Sequence, residues 1–175
     1  MARMAMAGAA LLTLASAPAA ADVVDKSAGG FTLKTTVAVA APPDRVFRAL
    51  VDVGAWWSGD HTYSGDARNM SIAPVPGGCF CEKLPSGGGV EHARVVQVIP
   101  GSLLRLAGAL GPLQEMGVHG SLTWQVVPSA GGSTLTMTYA VGGYAPGGLD
   151  AIAGLVDDVL AGQVRLLGAY AEKVR

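Results

Sequence analysis

From residue 31 to residue 40 the chain alternates: Phe31, Leu33, Thr35, Val37 and Val39 fall on one side, Thr32, Lys34, Thr36 and Ala38 on the other. A period of two marks a strand with one buried face, so this is the first predicted strand. Ala41-Pro42-Pro43-Asp44 ends it and opens a helix, because proline is tolerated in a first helical turn and aspartate favours the positive helix end. Val46, Phe47, Leu50 and Val51 give that helix its apolar stripe, and a second short helical turn is expected over residues 53–57. A polar loop, 58–69, follows. Beyond it the pattern predicts strands at 70–73, 79–84, 90–98, 103–107, 118–127 and 134–141, divided by glycine and proline turns. The glycine run Gly87-Gly88-Gly89 and the segment 128–132 each suit a hairpin.

The period then changes. Ile152, Leu155, Val156, Val159, Gln163, Leu166, Leu167 and Tyr170 recur at steps of three, four and seven, with Asp157, Asp158, Arg165 and Glu172 off that stripe. This predicts a terminal helix of about 25 residues, about 37 Å long, whose stripe packs on the sheet. Gly154, Gly162 and Gly168 each cost it about 1 kcal/mol relative to alanine. Burial of the large apolar side chains, at about 1.5–3 kcal/mol each, outweighs that cost.

The first 21 residues have a different character. Arg3 precedes an apolar stretch containing Leu11, Leu12 and Leu14, then Pro18 and the small residues Ala19, Ala20 and Ala21. This reads as a secretory signal cleaved before Asp22, and the stretch is shorter than the roughly 20 residues that span a bilayer. The expected organisation is a signal at 1–21, a flexible lead-in at 22–30 and one domain at 31–175. The mature chain is expected in a periplasm or outside the cell, without a transmembrane span.

Composition narrows the partners. Half of the 175 residues are hydrophobic, enough for one sizeable core. Twelve Lys+Arg stand against thirteen Asp+Glu without runs of either sign, so nothing in the charge pattern favours nucleic acid.

The order strand, two short helices, antiparallel strands and one long helix is a helix-grip plan, an α+β fold in which a curved antiparallel sheet wraps around a C-terminal helix. Four pieces carry a resemblance: Ala41-Pro42-Pro43-Asp44-Arg45-Val46-Phe47 with Ala49-Leu50, Trp56-Trp57, Pro76-Gly77-Gly78 with Phe80, and Val98-Ile99-Pro100. Over residues 31–174 the chain resembles the birch-allergen-like SRPBCC (START-related) superfamily, especially the branch of heat-shock ATPase activator homologues and polyketide cyclases. The resemblance implies a cavity between sheet and helix that holds an apolar or aromatic small molecule. It does not imply one activity, since members include carriers, cyclases and chaperone regulators. An export signal makes action on a cytosolic chaperone a poor expectation.

Candidate chemistry follows from pairing across the Gly87-Gly88 hairpin. If Leu84 faces Val90, Glu82 lies opposite His92 and Phe80 opposite Arg94, all four on the cavity face. Glu82 and His92 could then form an acid/base pair with Arg94 nearby, or a cross-strand ion pair that steadies the hairpin. A register change of one residue would turn His92 to the other face. Cys79 and Cys81 share the opposite face. Residues two apart on a strand lie about 6.5–7 Å between Cα atoms, at or beyond the disulfide limit unless a bulge intervenes. Separate thiols, a strained or redox-active disulfide and a metal site therefore all stay open, and no metal is assigned.

Trp56 and Trp57 are candidates for the pocket, since adjacent rings point different ways. In the loop that follows, Asp60, His61, Tyr63 and Asp66 either cap turns or form a polar gate. Trp124, Met137 and Tyr139 on the last hairpin, with Val159 and Gln163 on the helix, complete the expected wall, and His119 should face outward. No nucleophile elbow, phosphate loop or dinucleotide fingerprint is present, and no cofactor is expected. Three functions compete: an exported binder of an apolar small molecule, a cyclase or aromatase using Glu82 and His92, and a protein-interaction module using the exposed sheet face.

Overall fold

The computed structural model describes residues 20–174, with side chains from residue 22. Eight strands form one antiparallel sheet: β1 (Ala20–Ser27), β2 (Gly30–Val39), β3 (Met70–Ile72), β4 (Cys79–Lys83), β5 (Gly89–Ile99), β6 (Leu103–Ala107), β7 (Gly117–Ser129) and β8 (Gly132–Tyr144). Their spatial order is β1-β2-β8-β7-β6-β5-β4-β3. Helix α1 (Pro43–Val51) and single helical turns over residues 53–55, 59–61 and 67–69 cross from β2 to β3, and α2 (Ala153–Lys173) closes the chain. This is the helix-grip arrangement.

Alternation sets the faces. On β8, Leu135, Met137, Tyr139 and Val141 are buried while Thr134, Thr136 and Thr138 are half-buried. Leu33, Leu104, Leu106, Leu122 and Trp124 join them on the inner face, where each large side chain contributes about 1.5–3 kcal/mol of burial. His119 is exposed, as the alternation requires.

Three expectations need correction. The expected lead-in is part of the sheet: residues 20–27 form the edge strand β1, paired to β2 from Ala20↔Thr36 to Ser27↔Gly30. Its pattern hides it, because described side chains are exposed apart from half-buried Val23, and the pairing slips between Val23 and Asp25. An irregular, charged edge of this kind resists pairing with other chains. The expected cleavage point, between Ala21 and Asp22, lies two residues inside β1; residues 1–19 of the expected signal lie outside the described residues.

Second, α2 buries only part of the stripe its large side chains suggest. Gln163 and Leu167 of that stripe are buried, together with Ala153, Asp157, Leu160, Ala161, Val164, Gly168 and Ala171, whereas Leu155 is 69% exposed and Leu166 43% exposed. Small residues win the sheet face because they let helix and sheet approach closely. A Cβ placed on Gly168 would already touch Val39 Cγ2 at 3.6 Å and Val37 Cγ2 at 3.8 Å. The helix end is tied down where Ala40 N–H donates to Glu172 Oε1 (2.9 Å) and Tyr170 O–H donates to Asp52 Oδ2 (2.6 Å).

Third, the β4–β5 register is not continuous. Cys79 pairs with Arg94 and Phe80 with Ala93, but Cys81 pairs with Glu91 and Glu82 with Val90, leaving His92 as an extra residue. This bulge makes His92 and Ala93 consecutive buried residues and leaves Arg94 on the outer face. There Arg94 pairs with Glu91 and donates to Gly77 O (2.9 Å), so its expected place on the cavity face is overturned. The bulge fits because Gly108 lies across from it: a Cβ there would stand 2.6 Å from His92 O and 2.7 Å from Ala93 Cα.

Candidate functional site

A cavity of about 560 Å³ opens between the first half of α2, the loop that follows α1, the inner ends of β4 and β5, and the β6–β7 loop. Its walls are mostly apolar: Trp57, Met70, Phe80, Leu110, Leu113, Met116, Ile152, Leu155, Val156, Val159 and Leu160. His92, Asp60, His61, Thr62, Tyr63 and Glu115 supply polar groups. The apolar residues that looked like the helix's core stripe, Ile152, Leu155, Val156 and Val159, face this space.

His92 is the buried polar group of the wall. Its Nε2 lies 3.0 Å from Glu82 Oε2, and its ring stands 5.0 Å from Phe80 and 5.9 Å from Tyr63, centroid to centroid. Glu82, only 1% exposed, lies behind His92 and also accepts Tyr63 N–H at 3.1 Å (Oε2) and Ser64 N–H at 2.5 Å (Oε1). Burial alone would push the Glu82 carboxyl up; hydrogen bonds from Ser64, Tyr63 and His92 outweigh it and hold the group below its ordinary range. Burial also lowers His92, and the neighbouring Glu82 charge only partly opposes this. The pair is therefore an ionised carboxylate and a neutral imidazole near neutral pH. Nε2 carries the proton, since it faces a carboxylate, and Nδ1 is left as an acceptor with no hydrogen bond from any described residue.

The loop over this pair is stitched from two sides. Glu82 holds Tyr63 and Ser64, while Gln163 Oε1 on α2 accepts Ser58 N–H at 2.9 Å. Within the loop, Trp57 Nε1–H donates to His61 O at 2.9 Å and Asp66 is paired with Arg68. On the opposite wall, Tyr139 O–H donates to Gly108 O (3.1 Å) and accepts Leu110 N–H (3.0 Å), which fixes the start of the β6–β7 loop. Burial pushes that hydroxyl up to about 12, so it stays protonated.

Trp57, His61, Tyr63, Phe80, His92 and Val159 thus line the cavity. Glu82, Gln163 and Tyr139 do not line it; each positions a wall segment. Trp56, Trp124 and Met137 lie in the core, with Trp56 packed against Trp57 and Trp124 at centroid distances of 5.5 and 6.0 Å. Sequence reasoning missed Leu113 and Glu115, which lie on a short helical turn over residues 111–115, and Leu110 and Met116, which flank it. The one signal there was an apolar pair, Leu110 and Leu113, around Gly111-Pro112.

Cys79 and Cys81 are joined as a disulfide, their Cα atoms 5.4 Å apart. The regular-strand spacing that weighed toward separate thiols does not hold at this point, where β4 meets the bulge. Glu91 lies beside them, with ligand atoms of all three residues within 4.8 Å of one another.

A sequence model of the family described as polyketide cyclase / dehydrase and lipid transport matches residues 30–172. No curated protein matches the chain by sequence. Among solved structures, a putative uncharacterized protein from Rhizobium leguminosarum is 20% identical, with a TM-score of 0.61, covering 90% of this chain and 100% of that one. Protein MLL2253 from Mesorhizobium loti is 18% identical, with a TM-score of 0.60 and coverage of 82% and 98%. The di-domain ARO/CYC StfQ from the steffimycin biosynthetic pathway is 16% identical, with a TM-score of 0.57, covering 83% of this chain and 52% of that one. At these identities the likeness is one of fold.

Proposed function

The chain belongs to the polyketide cyclase / dehydrase and lipid transport family, and from that premise we propose that it binds a small apolar or aromatic molecule in the cavity under α2. The observation that carries this reading is an apolar space of about 560 Å³ with one buried histidine in its wall, the usual form of a small-molecule site. A guest would lie against Trp57, Phe80 and Val159 and direct a hydroxyl or other donor at His92 Nδ1. Glu82 would fix the ring that receives it. The leader-like first 21 residues support export, so the guest would be met outside the cytoplasm.

An enzymatic reading of cyclase or aromatase type needs a proton carrier in contact with the guest. Both Glu82 oxygens are already engaged by Tyr63, Ser64 and His92, so Glu82 is an anchor in either reading. Catalysis would rest on His92 Nδ1 as base. No observation favours this over binding.

The test is titration of the purified chain with 1-anilinonaphthalene-8-sulfonate, followed by its fluorescence, alongside a Val159→Glu variant. Val159 is half-buried and faces the cavity, so a carboxylate there should leave the fold intact and weaken the probe by about tenfold or more, the cost of desolvating part of a charge. Equal affinity in the two proteins would refute the site. Native mass spectrometry of the chain from its exported fraction would then reveal a co-purifying guest by its mass.

A further inference from the structure

The Cys79–Cys81 disulfide lies back to back with the cavity wall. Both cysteines are half-buried on the outer face of β4, and Phe80 between them points inward to line the cavity. An extended strand would hold their Cα atoms about 6.5–7 Å apart, yet they are 5.4 Å apart. β4 is therefore shortened at Phe80. The pairing slips at the same place, between Phe80 and Cys81, and the residue set loose on β5 is His92. The shortened strand and the bulge are two sides of one distortion, and the bulge brings His92 to Glu82 although Val90 is Glu82's strand partner.

Global stability is a poor explanation for this bridge. Cross-links restrict the unfolded chain more as the closed loop lengthens, and here the two cysteines are only two residues apart. Its evident effect is local.

We propose that Cys79–Cys81 is a thiol-exchange site for low-molecular-weight thiols, and that its oxidised and reduced states set two geometries of the cavity wall. A thiolate attacks one of the two sulfurs and forms a mixed disulfide. The electron pair of the broken S–S bond stays on the other cysteine, which leaves as a thiolate and takes a proton from solvent. A second thiolate then attacks the external sulfur of the mixed disulfide; the small disulfide departs, and the cysteine that carried it leaves as a thiolate and takes a proton from solvent. The protein gains two electrons and two protons, and two thiols lose them. Once parted, the cysteines let β4 return toward extended pitch, which moves Phe80 and loosens the bulge that seats His92.

The effect on binding rests on the proposed function; the effect on the wall does not, so the test reads them separately. The full chain is equilibrated in glutathione buffers from oxidising to reducing, and thiols are counted by alkylation and intact mass. The His92 ring and Trp57 indole are followed by NMR, and anilinonaphthalene sulfonate affinity is measured in each state. Expected are reversible gain of two thiols without loss of fold, displaced His92 and Trp57 signals, and an affinity change of about fivefold or more, the low end of coupling between two sites. A Cys79→Ser, Cys81→Ser double variant should show the reduced-state signals and ignore glutathione; should it not fold, reduction of the parent chain still decides. A disulfide that glutathione leaves intact at every ratio overturns the proposal, as does reduction that leaves the His92 and Trp57 signals unmoved. Displaced signals with no probe bound in either state would sustain the exchange site and refute the binding reading instead.

Discussion

Glu82→Gln tests the anchor on which the cavity wall depends. Glu82 is 1% exposed and accepts from Tyr63 N–H, Ser64 N–H and His92 Nε2–H. Glutamine has the same shape but one acceptor oxygen. Whichever way its amide turns, its NH₂ group meets at least one backbone N–H that has no other partner among the described residues. A hydrogen bond to a charged acceptor contributes about 1.5–3 kcal/mol, and relief from burying a charge offsets part of the loss. The net expectation is about 1–2 kcal/mol of destabilisation, which lowers the melting temperature by about 2–8 °C for a domain of this size. The difference should shrink in acid. Glu82 is held below its ordinary range in the fold, so the stability it supplies is present above the ordinary glutamate pKa and is lost as pH falls through the folded value. His92 is also depressed, so the unfolded chain takes up its proton first, and stability again falls as pH drops below the ordinary histidine value. Differential scanning calorimetry of both proteins from about pH 3 to about pH 8 measures the gap and its convergence. A variant melting within about 1 °C of the parent at neutral pH would refute the anchoring role.

Two further substitutions probe α2. Asp157 is 9% exposed, and its Oδ1 has no hydrogen-bond partner among the described residues; burial pushes its carboxyl up, and the charges of Asp158 and Asp22 add to this. Its raised pKa means that stability is lost as pH rises from the ordinary aspartate value through the folded one, so Asp157→Asn should stabilise at neutral pH by on the order of 1 kcal/mol and show no gain in acid; a lower melting temperature at pH 7 would show that an unseen partner holds the carboxylate. Gly162 lies inside α2, and a Cβ there meets only Arg165 Nη2 at 3.9 Å, so Gly162→Ala should raise stability by about 1 kcal/mol in urea unfolding; a loss would mean that the helix needs closer packing at that point.

Elements whose signal is local are legible in the chain alone. The alternation from Phe31 to Val39 and from Thr134 to Val141, the Pro42-Pro43 helix start, and the glycine turns each depend on neighbours a few residues away, and each appears where its pattern predicts. The sequence also placed Phe80 on the inner face, and Trp57, His61, Tyr63 and Val159 in the segments that border the cavity. Tertiary structure decided the rest. A strand such as β1, with one half-buried apolar residue, exists only because β2 offers it an edge. Which stripe of α2 meets the sheet was decided by close approach, which favours Ala153, Ala161, Gly168 and Ala171 and turns Ile152, Leu155 and Val159 to the cavity. His92 reaches Glu82 through an extra residue in β5, and the same slip leaves Arg94 outward and falls where Cys79 and Cys81 approach each other. A period of two or of 3.6 fixes how side chains alternate within an element. It carries no information about the distant backbone that makes one register, or one helix face, lower in free energy than its neighbour.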